Sequence, residues 1–332
     1  MKKSLMQNKK NSRICFITFY FGRLPDYFVL WLNCVRYNYK YDFILYIDDR
    51  TKYNFPDNVT VKYVTFKSIV ARVQKKFDFK ICLSKPYKLC DYRPAFGDIF
   101  YDDIKEYDFW GTMDLDIVLG DIYTFITDDI LQSYDKILVR DHFCLYRNTD
   151  DVRKHYKGKQ SIGESVYRKV FTEKKIFSFG EASTYGVYNI WKYNNWRMFD
   201  KDIIADIDVW NYDFIVIGDA KVKSNVFLYK DGKLYRKYYI DNKIITKQYL
   251  YMHLQKRKMI IANEVQSDNY LIVPNKFIFL NNNKELTNRM INLYIRKKYF
   301  FYNLCWKCNK IVKKILKEFN EFLYEMFNKY KV

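Results

Sequence analysis

Asp114 and Asp116, separated by Leu115, are the residues of this sequence whose type and spacing point most directly to chemistry. In an extended chain the side chains at i and i+2 share a face, so both carboxylates can address one cation while Leu115 turns toward the interior. Carboxylate oxygens are hard ligands that suit Mn²⁺ or Mg²⁺, with phosphate oxygens and water filling the rest of the shell. A cation held there offsets the negative charge that builds on a departing diphosphate. The same spacing recurs at Asp206-Ile207-Asp208, and a pair of this kind is commonly just a solvated loop acid or a helix cap. The first pair differs in context, because it follows the apolar run 107–113, which reads as a buried strand.

His253 is one of only three histidines. A neutral imidazole can serve as a third metal ligand, and its neighbours Lys256 and Arg257 can pair with phosphate oxygens. The plainer reading is an interfacial histidine in a basic surface segment. Upstream, the stretch 85–94 sets Lys88, Asp91 and Arg93 among aromatic residues, just ahead of a proline that suits a helix start. These three are expected either to meet a phosphate or sugar hydroxyl, or to form an ordinary charged loop.

The elements that must position these groups can be read from periodicity. Residues 14–21 form an apolar run ending at Gly22, Pro25 and Asp26, the pattern of a buried strand and a turn. Helical spacing follows over 27–37, strands over 43–47 and 59–64, and a helix over 66–79. Strand, helix and strand in this order predict an α/β domain with a largely parallel sheet. Ligands of such sheets bind beyond the carboxyl ends of the strands, where Tyr20 and Asp48 lie; both are candidates to meet a nucleotide. No glycine-rich phosphate-binding fingerprint is present there. Residues 94–104 and 125–134 read as helices and 136–139 as a strand. Residues 148–212 read as loops and helices. Asp231-Gly232, between apolar runs 225–229 and 234–240, is a hairpin signal.

Composition narrows the class. Hydrophobic residues make up 49% and aromatic residues 20%, which excludes a disordered chain. The net charge of +20 favours anionic partners: nucleic acid, anionic lipid or a phosphorylated substrate. Seven cysteines without a small-scaffold framework suggest a reducing compartment, and Cys305 and Cys308 lack the second pair that a zinc site needs. The first thirteen residues are polar and basic, unlike a signal peptide. No run approaches the roughly 18 apolar residues of a membrane span. A cytoplasmic protein is expected. Residues 289–332 carry eleven Lys/Arg against three Asp/Glu, with apolar residues three and four apart. They predict one long amphipathic helix, or two shorter ones, able to lie on the inner, anionic face of a membrane or to pack on protein.

Five stretches carry a family resemblance: FYFG at 19–22 with Pro25 and Tyr27, KPYKLCDYRPAF at 85–96, YDFWGTMDLDIVLGDI at 107–122, HFCLYRN at 142–148 and YMHLQKRKM at 251–259. Together they resemble bacterial surface-polysaccharide glycosyltransferases, relatives of the GT-A enzymes of lipopolysaccharide and capsule synthesis that are often described only as of unknown function. The resemblance spans residues 14 to about 260. It implies an α/β GT-A fold with a Rossmann-like mixed, mainly parallel sheet flanked by helices. It further implies a nucleotide-sugar donor such as a UDP-sugar, a glycan or lipid-linked glycan acceptor, and Mn²⁺ or Mg²⁺ held by Asp114 and Asp116 with His253 as third ligand. The family pattern has an acidic pair near 179–181, where Gly180 here replaces an aspartate, so only Glu181 is carried over. An inverting enzyme needs a carboxylate to deprotonate the acceptor hydroxyl, with Glu181 the first candidate and Asp208 the second; a retaining one need have none.

The expected layout is a catalytic domain over 1–283, with a nucleotide-sugar half at 14–147 and an acceptor half at 148–283, followed by a basic helical tail at 284–332. Two other functions fit parts of the sequence. The charge and aromatic content suit a nucleic-acid-binding protein, although the cations are dispersed and no RNA-binding signature appears, so no nucleic-acid partner is expected. The same carboxylates also suit a metal-dependent phosphotransferase or nuclease.

Overall fold

The run Ile14–Tyr20 is buried over its first five residues and forms strand β1, flanked on both sides as a central parallel strand must be. The computed structural model describes residues 12–160, 165–219, 222, 225–241, 243–255, 257–262, 268–280, 293–294 and 300–329, with the backbone alone at 300 and over 321–329. The chain divides into two units. The first runs to Ile117 and resumes over Asp121–Asp202; the second takes Val118–Gly120 and everything from Ile203.

In the first unit, β1 is followed by helix α1 (Phe28–Tyr37) and by strands β2 (Asp42–Ile47) and β3 (Val59–Tyr63). Helix α1 buries Phe28, Leu30, Trp31, Leu32, Cys34 and Val35. Helix α2 (Phe66–Lys76) starts where the Thr65 side chain accepts the Ser68 N–H at 3.1 Å, and it buries only Ile69 and Val73. It ends three residues earlier than its periodicity predicts. The Gln74 side chain donates to the Phe79 carbonyl and accepts the Ile81 N–H, which draws the chain out of the helix.

Strand β4 (Phe109–Met113) joins β1 in parallel on the side away from β2. After β5 (Ile117–Leu119), which pairs in the second unit, come β6 (Lys136–Ile137), β7 (Phe143–Arg147) and β8 (Met198–Phe199). The resulting seven-stranded sheet has the order β3-β2-β1-β4-β7-β6-β8, parallel except where β7 meets β4 and β6. This is a mixed α/β sheet flanked by helices. Residues 94–104 fold as short pieces rather than one helix: a 3-10 turn at Arg93–Ala95, then helices Phe96–Ile99 and Tyr101–Ile104. Phe100 breaks the run and packs its ring against Phe19, Tyr46 and Phe96. Gly97 lies so close to the Trp110 ring that a Cβ would stand 2.3 Å from it.

The first unit extends past residue 147 to Asp202. The chain between returns to the first unit, because β8 completes its sheet and the helices Tyr167–Thr172 and Val187–Tyr193 bury Val170, Phe171, Val187, Ile190 and Trp191 in its core.

The second unit holds two sheets. One has the order β5-β13-β9, with β9 at Ala205–Asp206 and β13 at Tyr251–His253. The other contains β10 (Asn225–Lys230), β11 (Lys233–Ile240), β12 (Lys243–Tyr249), β14 (Ile260–Ile261), β15 (Tyr270–Val273) and β16 (Lys276–Phe279). The hairpin predicted at Asp231-Gly232 joins β10 to β11, with φ of 50° and 75° at its two turn residues, the left-handed pair that an Asp-Gly turn accommodates. Residues 213–217 form no strand, and contribute one isolated bridge between Ile207 and Val216.

A long helix spans Phe300–Lys329; residues 281–292, 295–299 and 330–332, most of them in the predicted tail, lie outside the described residues. Asn303 on this helix accepts the Tyr212 and Asp213 N–H groups, and the Trp306 indole donates to the Val209 carbonyl at 2.9 Å. Cys305 and Cys308 are exposed on it. Among the described residues no helix is long and apolar enough to cross a membrane.

Burial pushes the Asp213 carboxyl up to about 6, despite the opposing pull of the Asn303 amide and Arg257. A carboxyl whose pKa is higher folded than unfolded costs stability as pH rises through that interval. Asp213→Asn is therefore expected to raise the thermal midpoint at neutral pH. The advantage should shrink as pH falls below 6 and vanish below about pH 4. A pH series of melting curves for the two proteins measures this.

Candidate functional site

Strand order places Asp114 and Asp116. In the sequence β3-β2-β1-β4, the chain builds outward from β1 first on one side and then on the other, and the crevice beyond the carboxyl ends at such a reversal is where open α/β sheets bind ligands. Tyr20 closes β1, and Met113 closes β4 one residue before Asp114. The buried Thr18 hydroxyl donates to the Met113 carbonyl at 2.8 Å and pins the two strand ends together. The acids themselves lie in a turn between β4 and β5, not on the strand that their spacing suggests. The expected division still appears there: Leu115 is buried, while Asp114 and Asp116 are half-buried.

The charges are arranged around this turn. The Arg93 guanidinium pairs with the Asp114 carboxylate and donates to the Asp141 carbonyl at 3.3 Å. Burial works to lower the Arg93 pKa, but the carboxylates of Asp114, Glu181 and Asp141 outweigh it and push it above its usual value. Burial raises the Tyr20 and Tyr27 phenols, and the Asp116 carboxylate raises them further, with Asp114 adding to the effect at Tyr27. Two carboxylates, one of them paired with Arg93, thus gather at the ends of β1 and β4.

Asp48 has a local task. It accepts the Gly22 N–H at 2.7 Å, while its neighbour Asp49 accepts the Leu24 and Thr51 N–H groups. Together they shape the loop after β1, in which Gly22 has a φ of 93°.

Lys88 and Asp91 are not placed for the phosphate or sugar expected of them. Both are fully buried and lie 2.8 Å apart. Lys88 also donates to the Val170 and Lys175 carbonyls, and Asp91 accepts the Phe177 and Phe179 N–H groups. An ammonium has three protons, and these three acceptors take them.

Glu181 lies close by. His142 approaches it at 3.7 Å. Burial works to raise the Glu181 carboxyl, but His142, Arg93 and Arg140 outweigh it and hold it below the usual carboxylate range. The missing aspartate at 180 also has a physical reason. A Cβ there would stand 2.6 Å from the Asp141 side chain, so Asp141 fills that space. Asp141 is buried and takes hydrogen bonds from Lys136, Tyr146 and Cys144 on one oxygen. Neither His142 nor Asp141 is singled out by sequence, because their partners at 180 and 181 are neighbours only in space.

In the second unit, β13 pairs in parallel with β9 so that His253 faces Asp206. His253 Nδ1 is 3.0 Å from the Asp206 carboxylate, which also accepts from the Gln255 amide at 2.6 Å. Donation from Nδ1 fixes the tautomer and leaves the ring lone pair on Nε2, the arrangement by which buried carboxylates orient metal-binding histidines. Asp206 is thus a partner of His253 that the sequence presents only as half of a second acidic pair. Asp208, the other half, accepts the Trp210 N–H and the Asn211 amide within its own loop. Arg257 does not offer its charge to a phosphate either. It is buried and donates to the carbonyls of Asp208, Asn211, Tyr212 and Asp213, and burial pulls its pKa down to about 10. Lys256 lies outside the described residues.

Strand β5 follows Asp116 directly. The Gly120 N–H donates to the Leu250 carbonyl at 2.7 Å. Because β5 precedes Gly120 and β13 follows Leu250, the two neighbours in the sheet run in opposite directions.

Residues 16–281 match the model of a family described as "Family of unknown function (DUF6625)", and the chain belongs to that family. No curated protein matches the chain.

The buried position of Lys88 has a measurable consequence. Removing one partner of a buried ion pair costs about 3–5 kcal/mol, so Lys88→Met is expected to lower the unfolding free energy by that amount in urea titration. Wild-type stability in the variant would return Lys88 to the role of a ligand-binding residue.

Proposed function

We propose that this member of DUF6625 is a metal-dependent glycosyltransferase of the GT-A type, which moves a sugar from a nucleotide-sugar, with a UDP-sugar the expected donor, to a glycan or lipid-linked glycan. The observation that carries the proposal is the position of Asp114 and Asp116. They stand at the carboxyl end of β4, beside the end of β1, at the point where the order of the sheet reverses. The mainly parallel sheet of the first unit, with one strand inserted antiparallel, supports the finer assignment of the fold.

The donor set suits a hard divalent cation: two half-buried carboxylates in one turn, and a histidine whose tautomer is fixed by Asp206. Asp114, Asp116 and His253 would hold Mn²⁺ or Mg²⁺. Such an ion, when bound, supplies positive charge against a departing diphosphate.

The residues of the chain have distinct tasks in this reading. Tyr20 and Tyr27 flank the position of the nucleotide. Arg93 pairs with Asp114 and adds fixed positive charge where the diphosphate would lie, the task that Arg257 is too enclosed to perform. Glu181, beside His142, is the candidate to accept a proton from an acceptor hydroxyl, since Asp208 is engaged by its own loop. A retaining reaction would leave Glu181 to orient the acceptor.

The first test is a screen of nucleotide-sugars for Mn²⁺-dependent thermal stabilisation, in which Asp114→Ala should lose the effect. With the donor in hand, Asp116→Asn is expected to slow transfer by about 10²–10³-fold, by analogy with other lost groups that stabilise developing charge. Near-normal transfer by that variant, or phosphate cleavage in place of a new glycosidic bond, would sink the proposal. Asp206→Asn should weaken Mn²⁺ binding about 10–100-fold, as read by calorimetry without any donor.

A further inference from the structure

The long helix Phe300–Lys329 docks with an unexpected side. Over residues 301–320, the half-buried positions are Asn303, Trp306 and Lys310, three and four residues apart and so on one face. Asn303 and Trp306 make the hydrogen bonds to the 209–213 loop, and the Trp306 ring lies between Arg257, at 5.5 Å, and Lys310, at 5.3 Å. The helix is therefore anchored by polar and amphipathic side chains. Its apolar residues point elsewhere: Leu304, Ile311, Val312, Ile315, Leu316 and Phe319 are each between 50% and 57% exposed. At roughly 100° per residue, these six span an arc of about 140°. Lys307 and the Lys314–Glu318 ion pair, 3.8 Å apart, border one edge of that arc and Lys313 the other.

We propose that this face lies in the surface of an anionic lipid bilayer, with the bordering lysines at the phosphate plane and the anchored face toward the protein. Three features choose lipid over the alternatives. The arc is broader than the narrow seam of a two-stranded coiled coil. A second copy of the same face would bring two sets of bordering lysines together, in a chain whose net charge is already +20; anionic lipid is complementary to both. Among the described residues no helix can cross a membrane, so the helix would lie along the surface, as a helix with an apolar face and a lysine-rich face does. The inference is independent of the glycosyltransferase reading, because it uses only residues of the second unit and concerns binding, not turnover.

The test is flotation of the full-length protein with phosphatidylcholine vesicles, with and without an equal part of phosphatidylglycerol, at physiological salt. Binding to the anionic vesicles and not to the neutral ones is expected. Ile311→Glu/Ile315→Glu should abolish it while the far-UV dichroism and melting temperature stay unchanged, since both side chains are exposed. Lys313→Gln/Lys314→Gln leaves the apolar face intact and guards against a folding artefact. A lysine near an anionic surface contributes about fivefold to partitioning, so that variant should bind about 25-fold more weakly. Wild-type protein that ignores anionic vesicles, or that forms a dimer abolished by Ile311→Glu/Ile315→Glu, would overturn the proposal; the second result would assign the face to another copy of the chain.

Discussion

Two carboxylates one residue apart repel each other when ionised, and the first unit sets a cation beside them. Arg93 is the direct answer, because its guanidinium pairs with Asp114. That arginine must itself be fixed. It follows the 3-10 turn Pro86–Asp91, whose last residue is locked inside the protein by Lys88 and by the N–H groups of Phe177 and Phe179. The same contacts bring residues 177–181 to the site, and the Asp141 N–H, bonded to the Gly180 carbonyl, closes the connection. The buried Lys88–Asp91 pair therefore positions both Arg93 and Glu181 without facing the site. A buried ion pair contributes little net stability; here its placement effect is the larger one.

This arrangement explains how far the sequence could be read. Strands β1 to β4 and helices α1 and α2 were legible because each carries its own period and its own stop signal. The stretch 85–94 was legible as charged and unusual, but not as two populations. Lys88 and Asp91 turn inward and Arg93 outward only because 3-10 geometry replaces the expected loop and the partners arrive from residues 170–179. Strand β7 and strands β14 to β16 escaped because short apolar runs do not distinguish strand from helix without their neighbours. The boundary at residue 202 could not be read from composition, since it depends on a two-residue strand, β8, returning to pair with β6.

The second unit shows the same economy with a cation at its centre. Arg257 gathers four carbonyls of the 208–213 loop and lies over the Trp306 ring. A guanidinium has a planar fan of donors that a lysine lacks, which suits it to a loop with no regular hydrogen bonding of its own. The sequence placed Arg257 beside His253 and suggested one shared task. In the folded chain the two side chains part, and the arginine supports the loop on which the long helix is anchored.

The two acidic pairs give the clearest measure of what spacing means. Asp114-Leu115-Asp116 and Asp206-Ile207-Asp208 are the same pattern of charge and apolarity. In both, the middle residue is buried. The difference lies in what the flanking backbone does. At 114–116 the chain turns out of β4, and both acids stay half-buried at the strand end. At 206–208 the first acid is still within β9, paired across to β13, and is buried against His253, while the second already belongs to a loop that consumes its carboxylate. Identical spacing thus yields a half-buried acidic turn in one place and a histidine-orienting carboxylate in the other. Spacing alone sets which side chains can share a face; the strand or loop that the chain enters next decides whether they do.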